Sequence, residues 1–505
     1  MTERQNGSTA ADWRRPDVEG RATVPWPGLR VCVVGARVVG LSAARAVHAL
    51  GADVTIVDRY DDQVTSERAA PLADAGMHVR LGDDATLPEG CELLVLSPGI
   101  PPTAPIVQAA RDAGLPIWGD AELAWRLRKP LPDGSYAPWL PITGTNGKTT
   151  TVRMLAAMLE AAGKRTVACG NVGLPIVDAV IAEEQYEVLA VELSSFQLFW
   201  TESLSPLAAT VLNIAPDHVD WHGSLDAYAQ AKGRVYENCQ IACVYNVADE
   251  ATRQLVESAD VVEGCRAIGF TLGAPSLSML GVVDGILADR AFVEDRHRNA
   301  AELGTIYDVE PHAPHNIANA LAAAALARAY GVPPEAVRDG LRAFRPDPHR
   351  IAFVAAVDGV DYIDDSKATN PHAAAASLAA YEHVVWIAGG LAKGASFEDL
   401  VAGAAKRLLG AVLLGADRAL IADAIARHAP SLPVVDLGGA DDGLTGAEAM
   451  VRAVEAAARL AAESGTPGGT VLLAPACASM DLFVNYGERG DLFARAVKER
   501  KAARG

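Results

Sequence analysis

Short runs of four to six apolar residues alternate with longer, alanine-rich stretches along most of the chain. Runs of that length bounded by Gly, Pro and Asp read as strands buried on both faces, and the stretches between them as helices covering parallel sheets. A first block has such runs at 30–34, 53–57 and 92–96. The first run leads through a glycine turn at 35–40 into a helix ending near residue 50; the second ends on Asp58, the third on Ser97-Pro98-Gly99. Residues 128–138 hold three prolines, Gly134 and Ser135, and read as a connecting loop. A second block has runs at 139–142, 188–191, 209–213 and 241–245, weakens over 265–312 into short segments that suggest a small antiparallel addition, and closes on a helix over 316–330. Arg345-Pro346-Asp347-Pro348 then breaks the chain, since proline fixes its own φ and restrains the residue before it. Beyond it, runs at 360–364, 383–388, 410–414, 433–436 and 470–474 form a third block.

At about 150 residues per domain, 505 residues suit three domains. The fold class is accordingly α/β, with a Rossmann-like domain over 28–130, a central domain over 138–345, a second Rossmann-like domain over 346–505, and a loose polar leader over 1–27. Half of the residues are hydrophobic and 21% are charged, enough apolar material for several cores. Forty-four Lys and Arg against 63 Asp and Glu leave a net charge of −19, which argues against nucleic acid and acidic membranes as partners while leaving room for a local basic pocket. The leader has no apolar stretch of signal-peptide type, and nowhere do 18 apolar residues run together, so no membrane insertion is expected. The seven cysteines are odd in number and scattered; they read as buried small hydrophobes of a reduced compartment, not as a zinc or disulfide framework. No repeat of solenoid or propeller period is present.

The strongest chemical signal is Gly144-Thr145-Asn146-Gly147-Lys148-Thr149-Thr150, between a buried strand and a helix expected from about Val152. Backbone N–H groups of such a loop cradle phosphate oxygens, Lys148 neutralises β- and γ-phosphate charge, and Thr149 is placed for Mg²⁺. Ile142 stands where the longer Walker pattern has glycine, so this is the shorter G-x-x-G-K-T form, and it makes the central domain P-loop ATPase-type. Glu192 closes the next apolar strand, where ligands bind in open α/β sheets. His218 and His222 are four apart, which suits a zinc pair only on a helix and lacks the glutamate of H-E-x-x-H; alone they read as loop histidines. Lys232, alone, reads as a solvated helix lysine. In the first domain, Gly35-Ala36-Arg37-Val38-Val39-Gly40 has Arg37 where G-x-G-x-x-G wants its second glycine, which makes an NAD role weak even with Asp58 further on.

Together with ELSSFQL (192–198), the N-x-x-x-D-H-x-D segment (213–220), AK-x-R-x-YEN (231–238), HN-x-x-NALAA (315–323), PHR (348–350), DDSKATNP (364–371) and ACASMDLF (476–483), the loop resembles the Mur ligases in motif content and order, over roughly 28–500. GTNGKTT alone admits folylpolyglutamate synthetases; DSKATN with ACASMDLF narrows the resemblance to the D-glutamate-adding branch. It implies ATP-dependent addition of D-glutamate to UDP-N-acetylmuramoyl-L-alanine through an acyl phosphate, in peptidoglycan precursor synthesis. Alternatives are another amide ligase of the superfamily, or a non-catalytic UDP-sugar-binding regulator; the latter has little use for a complete metal site.

Further roles come from the resemblance only. Thr149 and Glu192 would hold one Mg²⁺, and His218 a second together with Lys232, carbamylated by CO₂. Lys148, Glu192, His218 and Lys232 would form the catalytic set. Gly144 to Thr150, with Asn319, Arg350 and Asp365, would bind ATP. The first domain would bind the UDP moiety through Val38, Val39, Asp58, Ser97, Pro98 and Gly99, with Asn171 and His218 toward the muramoyl group. Thr369, Lys393, Ser479 and Tyr486 would grip D-glutamate; a cation at 393 suits its side-chain carboxylate. The resemblance also implies small-molecule partners, a monomer and a cytoplasmic location.

Overall fold

The computed structural model describes residues 12–17 and 23–504. Contacts divide them into two compact units, one of residues up to Asp308 with Ala318–Phe344, the other of Val309–Ile317 with the chain from Arg345 onward. The described residues form three sheets, two in the first unit and one in the second.

The first sheet runs His78–Leu81, Asp53–Asp58, Arg30–Val34, Leu93–Leu96, Ile117–Gly119, all parallel, with the earliest strand central. This is the doubly wound order expected of a Rossmann-like domain. The two edge strands escape the pattern reading because each is short, and one is only partly buried. Gly35 and Gly40 are dictated by space. A Cβ on Gly40 would fall 1.8 Å from the Gly35 carbonyl oxygen, and Gly35 has φ +102°. Arg37 between them sits at φ −105°, open to any residue, which explains why the middle glycine is dispensable here.

The nine-stranded second sheet runs Ala301–Thr305, Ile286–Asp289, Met279–Val283, Arg266–Phe270, Ala242–Asn246, Ala208–Val211, Trp139–Thr143, Val188–Glu192, Thr166–Gly170. Its last seven strands are parallel, and the two at the far edge pair antiparallel, as the weakened pattern over 265–312 suggests. One hydrophobic core spans both sheets of this unit, with Trp125 and Trp139 edge to face at 5.0 Å. Polar ties reinforce it: Ser42 Oγ donates to Asp178 (2.6 Å), Arg126 pairs with Glu122 (2.7 Å), and Glu122 accepts from the Glu202 and Ser203 N–H groups.

Two expectations change. Part of the leader is anchored: Trp13 and Trp26 pack edge to face on Trp118, and Arg126 donates to the Trp13 carbonyl. Aromatic burial thus outweighs the polar composition there, while 1–11 and 18–22 lie outside the described residues. The helix after the phosphate loop spans Lys148–Ala161, starting four residues earlier than expected, so Lys148, Thr149 and Thr150 form its first turn.

The sheet of the second unit runs Ala352–Val357, Val360–Asp364, Thr470–Leu473, Val384–Gly389, Leu408–Leu414, Val434–Asp436. All neighbours are parallel except the first pair, a hairpin whose outer strand has no clear apolar run. Hydrophobic cores line both faces of this sheet. No helix among the described residues is long and apolar enough to cross a membrane.

Candidate active site

In the first unit, the fully buried strand Trp139–Thr143 lies between Val188–Glu192 and Ala208–Val211. Its carboxyl end turns through Gly144 (φ +146°) and Gly147 (φ +87°) into the helix Lys148–Ala161. Its two neighbours end at the same edge, so Glu192 arrives on one side of the loop and the Asn213 to His218 segment on the other. The Asn146 N–H donates to Asn213 Oδ1 (2.9 Å), and Asn213 Nδ2 donates to the Asn146 carbonyl (3.1 Å). Thr145 Oγ1 accepts from the Ala215 N–H (2.9 Å) and bonds the Tyr228 hydroxyl (3.1 Å). The loop is therefore braced before any phosphate arrives. Asn319 also lies against it, since a Cβ on Gly147 would come within 2.5 Å of Asn319 Oδ1.

Two lysines converge on this loop. Lys148 Nζ donates to the carbonyls of Gly144 (2.9 Å) and Thr145 (3.0 Å), and Lys232 Nζ donates to the same Gly144 carbonyl (2.9 Å). Lys232 is 2% exposed, which overturns the solvated-helix reading. Its ammonium lies 4.6 Å from the Tyr228 ring centroid. Burial, then the Lys148 charge, pulls its pKa well below the usual lysine range, against opposing pulls from Asp217 and Glu192.

Glu192 is 1% exposed, so it is no surface ion pair. Its Oε1 accepts from Asn171 Nδ2 (3.0 Å), while Oε2 is buried with no hydrogen-bond partner among the described residues. A buried carboxylate oxygen left unsatisfied is costly unless a ligand completes it. Thr149, in the first turn of the helix behind the loop, adds a hydroxyl. An oxygen-rich donor set with an open carboxylate fits a hard ion such as Mg²⁺.

His218 precedes a single helical turn, Val219–His222, and its Nε2 lies 3.6 Å from Asp217. Burial and the two lysines lower its pKa, with Asp217 opposing. His222 turns instead to Ser195 Oγ (3.0 Å) and stacks on Phe196 at 5.7 Å between centroids. Its pKa is lowered to about 4 by burial, His218 and Lys232. Trp221 Nε1 donates to the Gly99 carbonyl (3.3 Å), joining this segment to the first sheet.

There, a cavity of about 390 Å³ is lined by Arg37, Val38, Val39, Asp58, Ser97, Pro98 and Gly99 among others, gathering the sequence-derived UDP residues of that domain in one cleft. Asp58 shapes the cleft, its carboxylate accepting from the N–H groups of Ala36 (2.7 Å) and Tyr60 (2.9 Å). Arg37 and Arg59 both approach the Tyr60 ring, at 5.9 and 4.8 Å.

In the second unit, three loops follow neighbouring strands. The Asp365 to Asn370 loop meets the 476–486 loop where the Ala476 N–H donates to Ala368 (2.9 Å). The Lys393 loop meets it through reciprocal bonds between Leu391 and Ala478, both 2.9 Å. Gly390 permits this approach, because a Cβ there would lie 2.2 Å from the Ala478 carbonyl oxygen. The structure thus assembles Thr369, Lys393 and Ser479 on adjoining loops, with Tyr486 opening the helix Tyr486–Arg504 that follows the last of them. Lys367 Nζ, which sequence reasoning passed over inside its own motif, stands 3.9 Å from the Tyr486 ring centroid. Buried Arg489 ties this corner together by donating to Ser366 and to the Cys477 carbonyl. Asp365 is buried, accepting from Ser377 Oγ and the Ile351 N–H, with its pKa pushed up to about 6 by burial. Arg350, 3.8 Å from Asp347, belongs to the same unit.

Other missed residues, Asn213, Asp217, Tyr228 and Trp221, act by bracing or by charge. Asn213 and Asp217 lay inside a recognised motif; nothing local marked the phenol of Tyr228.

The Mur ligase middle domain model matches residues 142–327, and the Mur ligase, glutamate ligase domain model matches residues 349–477. A UDP-N-acetylmuramoylalanine--D-glutamate ligase of Streptomyces avermitilis is 65% identical over 94% of this chain and 98% of its own length. The protein of the same name from Mycolicibacterium smegmatis is 46% identical, over 96% and 99%. Among solved structures, MurF from Acinetobacter baumannii superposes with a TM-score of 0.55 at 17% identity, covering 93% of each chain. UDP-N-acetylmuramate-alanine ligase MurC from Thermotoga maritima gives 0.51 at 20%, covering 94% of this chain and 100% of that one. The structural likenesses speak for the fold, the sequence relatives for descent, and the chain belongs to the Mur ligase family.

Proposed function

We propose that the chain is an ATP-dependent ligase joining D-glutamate to UDP-N-acetylmuramoyl-L-alanine in peptidoglycan precursor synthesis. The observation that carries this reading is the crowding of one phosphate loop by Lys148, by the buried Lys232 amine and by the open Glu192 carboxylate. Near-full-length relatives named for that reaction support it.

In this reading the alanyl carboxylate attacks the γ-phosphorus of ATP, the bond to the β–γ bridging oxygen breaks, and ADP leaves. The resulting acyl phosphate is attacked by the neutral amine of D-glutamate. The tetrahedral intermediate expels inorganic phosphate, the amine loses a proton, and the amide remains. Such transfer is largely positioning and charge neutralisation. The N–H groups from Gly144 to Thr150 hold phosphate oxygens at the helix N-terminus, and Lys148 exchanges its carbonyl partners for β- and γ-oxygens. Thr149 and Glu192 would hold one Mg²⁺, and His218 with Lys232 a second; bound there, the ions offset phosphate charge. For Lys232 to serve, its uncharged amine adds to CO₂ and releases one proton, giving an anionic carbamate that offers an oxygen to the ion. Burial and Lys148 favour the uncharged amine that this addition requires.

The ligands are then distributed over the domains. Residues 28–130 take the UDP moiety in the cleft of Val38, Val39, Asp58 and Ser97 to Gly99, with Asn171 and His218 toward the sugar. Residues 138–345 take ATP, with Asn319. Residues 346–505 take D-glutamate through Thr369, Lys393, Ser479 and Tyr486. The enzyme works as a cytoplasmic monomer on these small molecules.

Phosphate release from ATP, Mg²⁺ and UDP-N-acetylmuramoyl-L-alanine should require D-glutamate. Release with another amine and none with D-glutamate would sink the substrate assignment. After incubation with ¹³C-bicarbonate, a carbamate carbon signal should appear in the wild type and be absent in Lys232→Ala. An identical signal in both would remove Lys232 from this role.

A further inference from the structure

Cys239, Cys243 and Cys265 read in sequence as separate buried hydrophobes, yet their Sγ atoms all lie within 4.8 Å of one another. Cys243 and Cys265 Sγ are 3.8 Å apart. We propose that these three thiols form a binding site for one thiophilic cation of the Zn²⁺ or Cu⁺ type.

Four features support the site. The spacing is close: with metal–sulfur bonds of about 2.3 Å, the sulfur–sulfur edge of a tetrahedral site is about 3.8 Å, the Cys243–Cys265 distance, and the other two pairs lie within 4.8 Å. The backbone fixes the ligands before a metal arrives. Cys243 lies on the strand Ala242–Asn246, which pairs with Arg266–Phe270, so that Ala242 faces Arg266, the residue after Cys265. The Val262 N–H donates to the Cys239 carbonyl (3.1 Å), and the Cys265 N–H to the Val262 carbonyl (3.0 Å), tying the third ligand to the other two. Access is provided because Cys239 and Cys243 are buried and Cys265 is half-buried at the rim. The fourth feature is charge. A divalent ion displaces three thiol protons, which pass to solvent, leaving a site of net charge −1, and Arg266, next in the chain to Cys265, carries a positive charge that offsets it in part.

Thiolate donors select soft ions over Mg²⁺, so this site and the phosphate loop do not compete for one metal. It also stands apart from the chemistry: Cys243 and Cys265 are at the amino ends of parallel strands, whereas the phosphate loop follows the carboxyl end of its strand. The expected role is to clamp the 236–241 turn, which follows the helix Leu225–Gly233 bearing Lys232, to the sheet.

The test uses the reduced, metal-free full chain titrated with Cd²⁺, whose thiolate charge-transfer band reports each sulfur bound, followed by competition with Zn²⁺. One equivalent should bind, be displaced by Zn²⁺, and raise the thermal midpoint. Cys265→Ser, chosen because its side chain is at the rim, should lose about a third of the band and weaken binding more than about tenfold. Cys91→Ser, also half-buried but outside the cluster, should match the wild type. Absence of a band, a band unchanged in Cys265→Ser, or one lost in Cys91→Ser would each overturn the proposal.

Discussion

Replacing Gly147 by alanine tests whether the phosphate loop is pre-shaped by its packing. Gly147 has φ +87°, and an added Cβ would sit 2.5 Å from Asn319 Oδ1. Left-handed backbone costs an alanine about 1–2 kcal/mol. Asn319 is only 6% exposed, so it has little room to step aside, and relieving the contact means shifting the loop. One or two kcal/mol corresponds to a factor of about 5–30 in an equilibrium constant. ATP binding, read by calorimetry, should therefore weaken at least about fivefold in Gly147→Ala. The same substitution made in an Asn319→Ala background should cost less, because the contact is gone and only the backbone strain remains. Gly163→Ala is the control: φ is +75° and nothing lies within 4 Å, so it carries strain without contact, at the far end of the helix. An ATP affinity within about twofold of wild type in Gly147→Ala would refute the idea that this loop must hold its shape.

Other substitutions separate the remaining sites. Arg37→Gly should weaken the UDP substrate about tenfold, the scale of one hydrogen bond to a charged group, and leave ATP affinity unchanged; equal losses would put Arg37 outside the UDP cleft. Gly390→Ala, which drives a Cβ toward the Ala478 carbonyl, should raise KM for D-glutamate more than for ATP in steady-state assays, and the reverse order would detach that loop from the amino acid. Asp120 is buried, with Oδ2 accepting from Gln197 (2.8 Å), Oδ1 without a partner among the described residues, and its pKa raised to about 6 by burial. The folded state therefore holds its proton more tightly than the unfolded state, and the stability this contributes, full below about pH 4, is lost as pH rises through about 6. Asp120→Asn should remove that component, raising the melting temperature at pH 7.5 relative to wild type more than at pH 4.5; an equal shift at both would place the proton elsewhere.

Parts of the molecule whose signal is local could be read from the residues. Apolar runs of strand length, the glycines of the phosphate loop and the Pro-rich break depend on near neighbours along the chain, so the α/β class, the loop and its flanking strand and helix were readable from the residues. Motif order added Glu192, His218, Lys232 and the glutamate-site residues as names without environments. Short edge strands such as Ile117–Gly119 stayed hidden because three residues carry too little periodicity. Arg37 looked like a defect in a motif until the structure showed that only Gly35 and Gly40 are sterically required. Burial and convergence came from the packing of the chain. It buried Lys232 and so pulled its pKa down, left one Glu192 oxygen open, set Trp13 against Trp118, and brought Cys265 to Cys239 and Cys243 across 22 to 26 residues of chain. Desolvation and charge–charge coupling depend on which groups are close in space, and in a parallel sheet those groups are separated by whole crossover connections, beyond the reach of any local pattern.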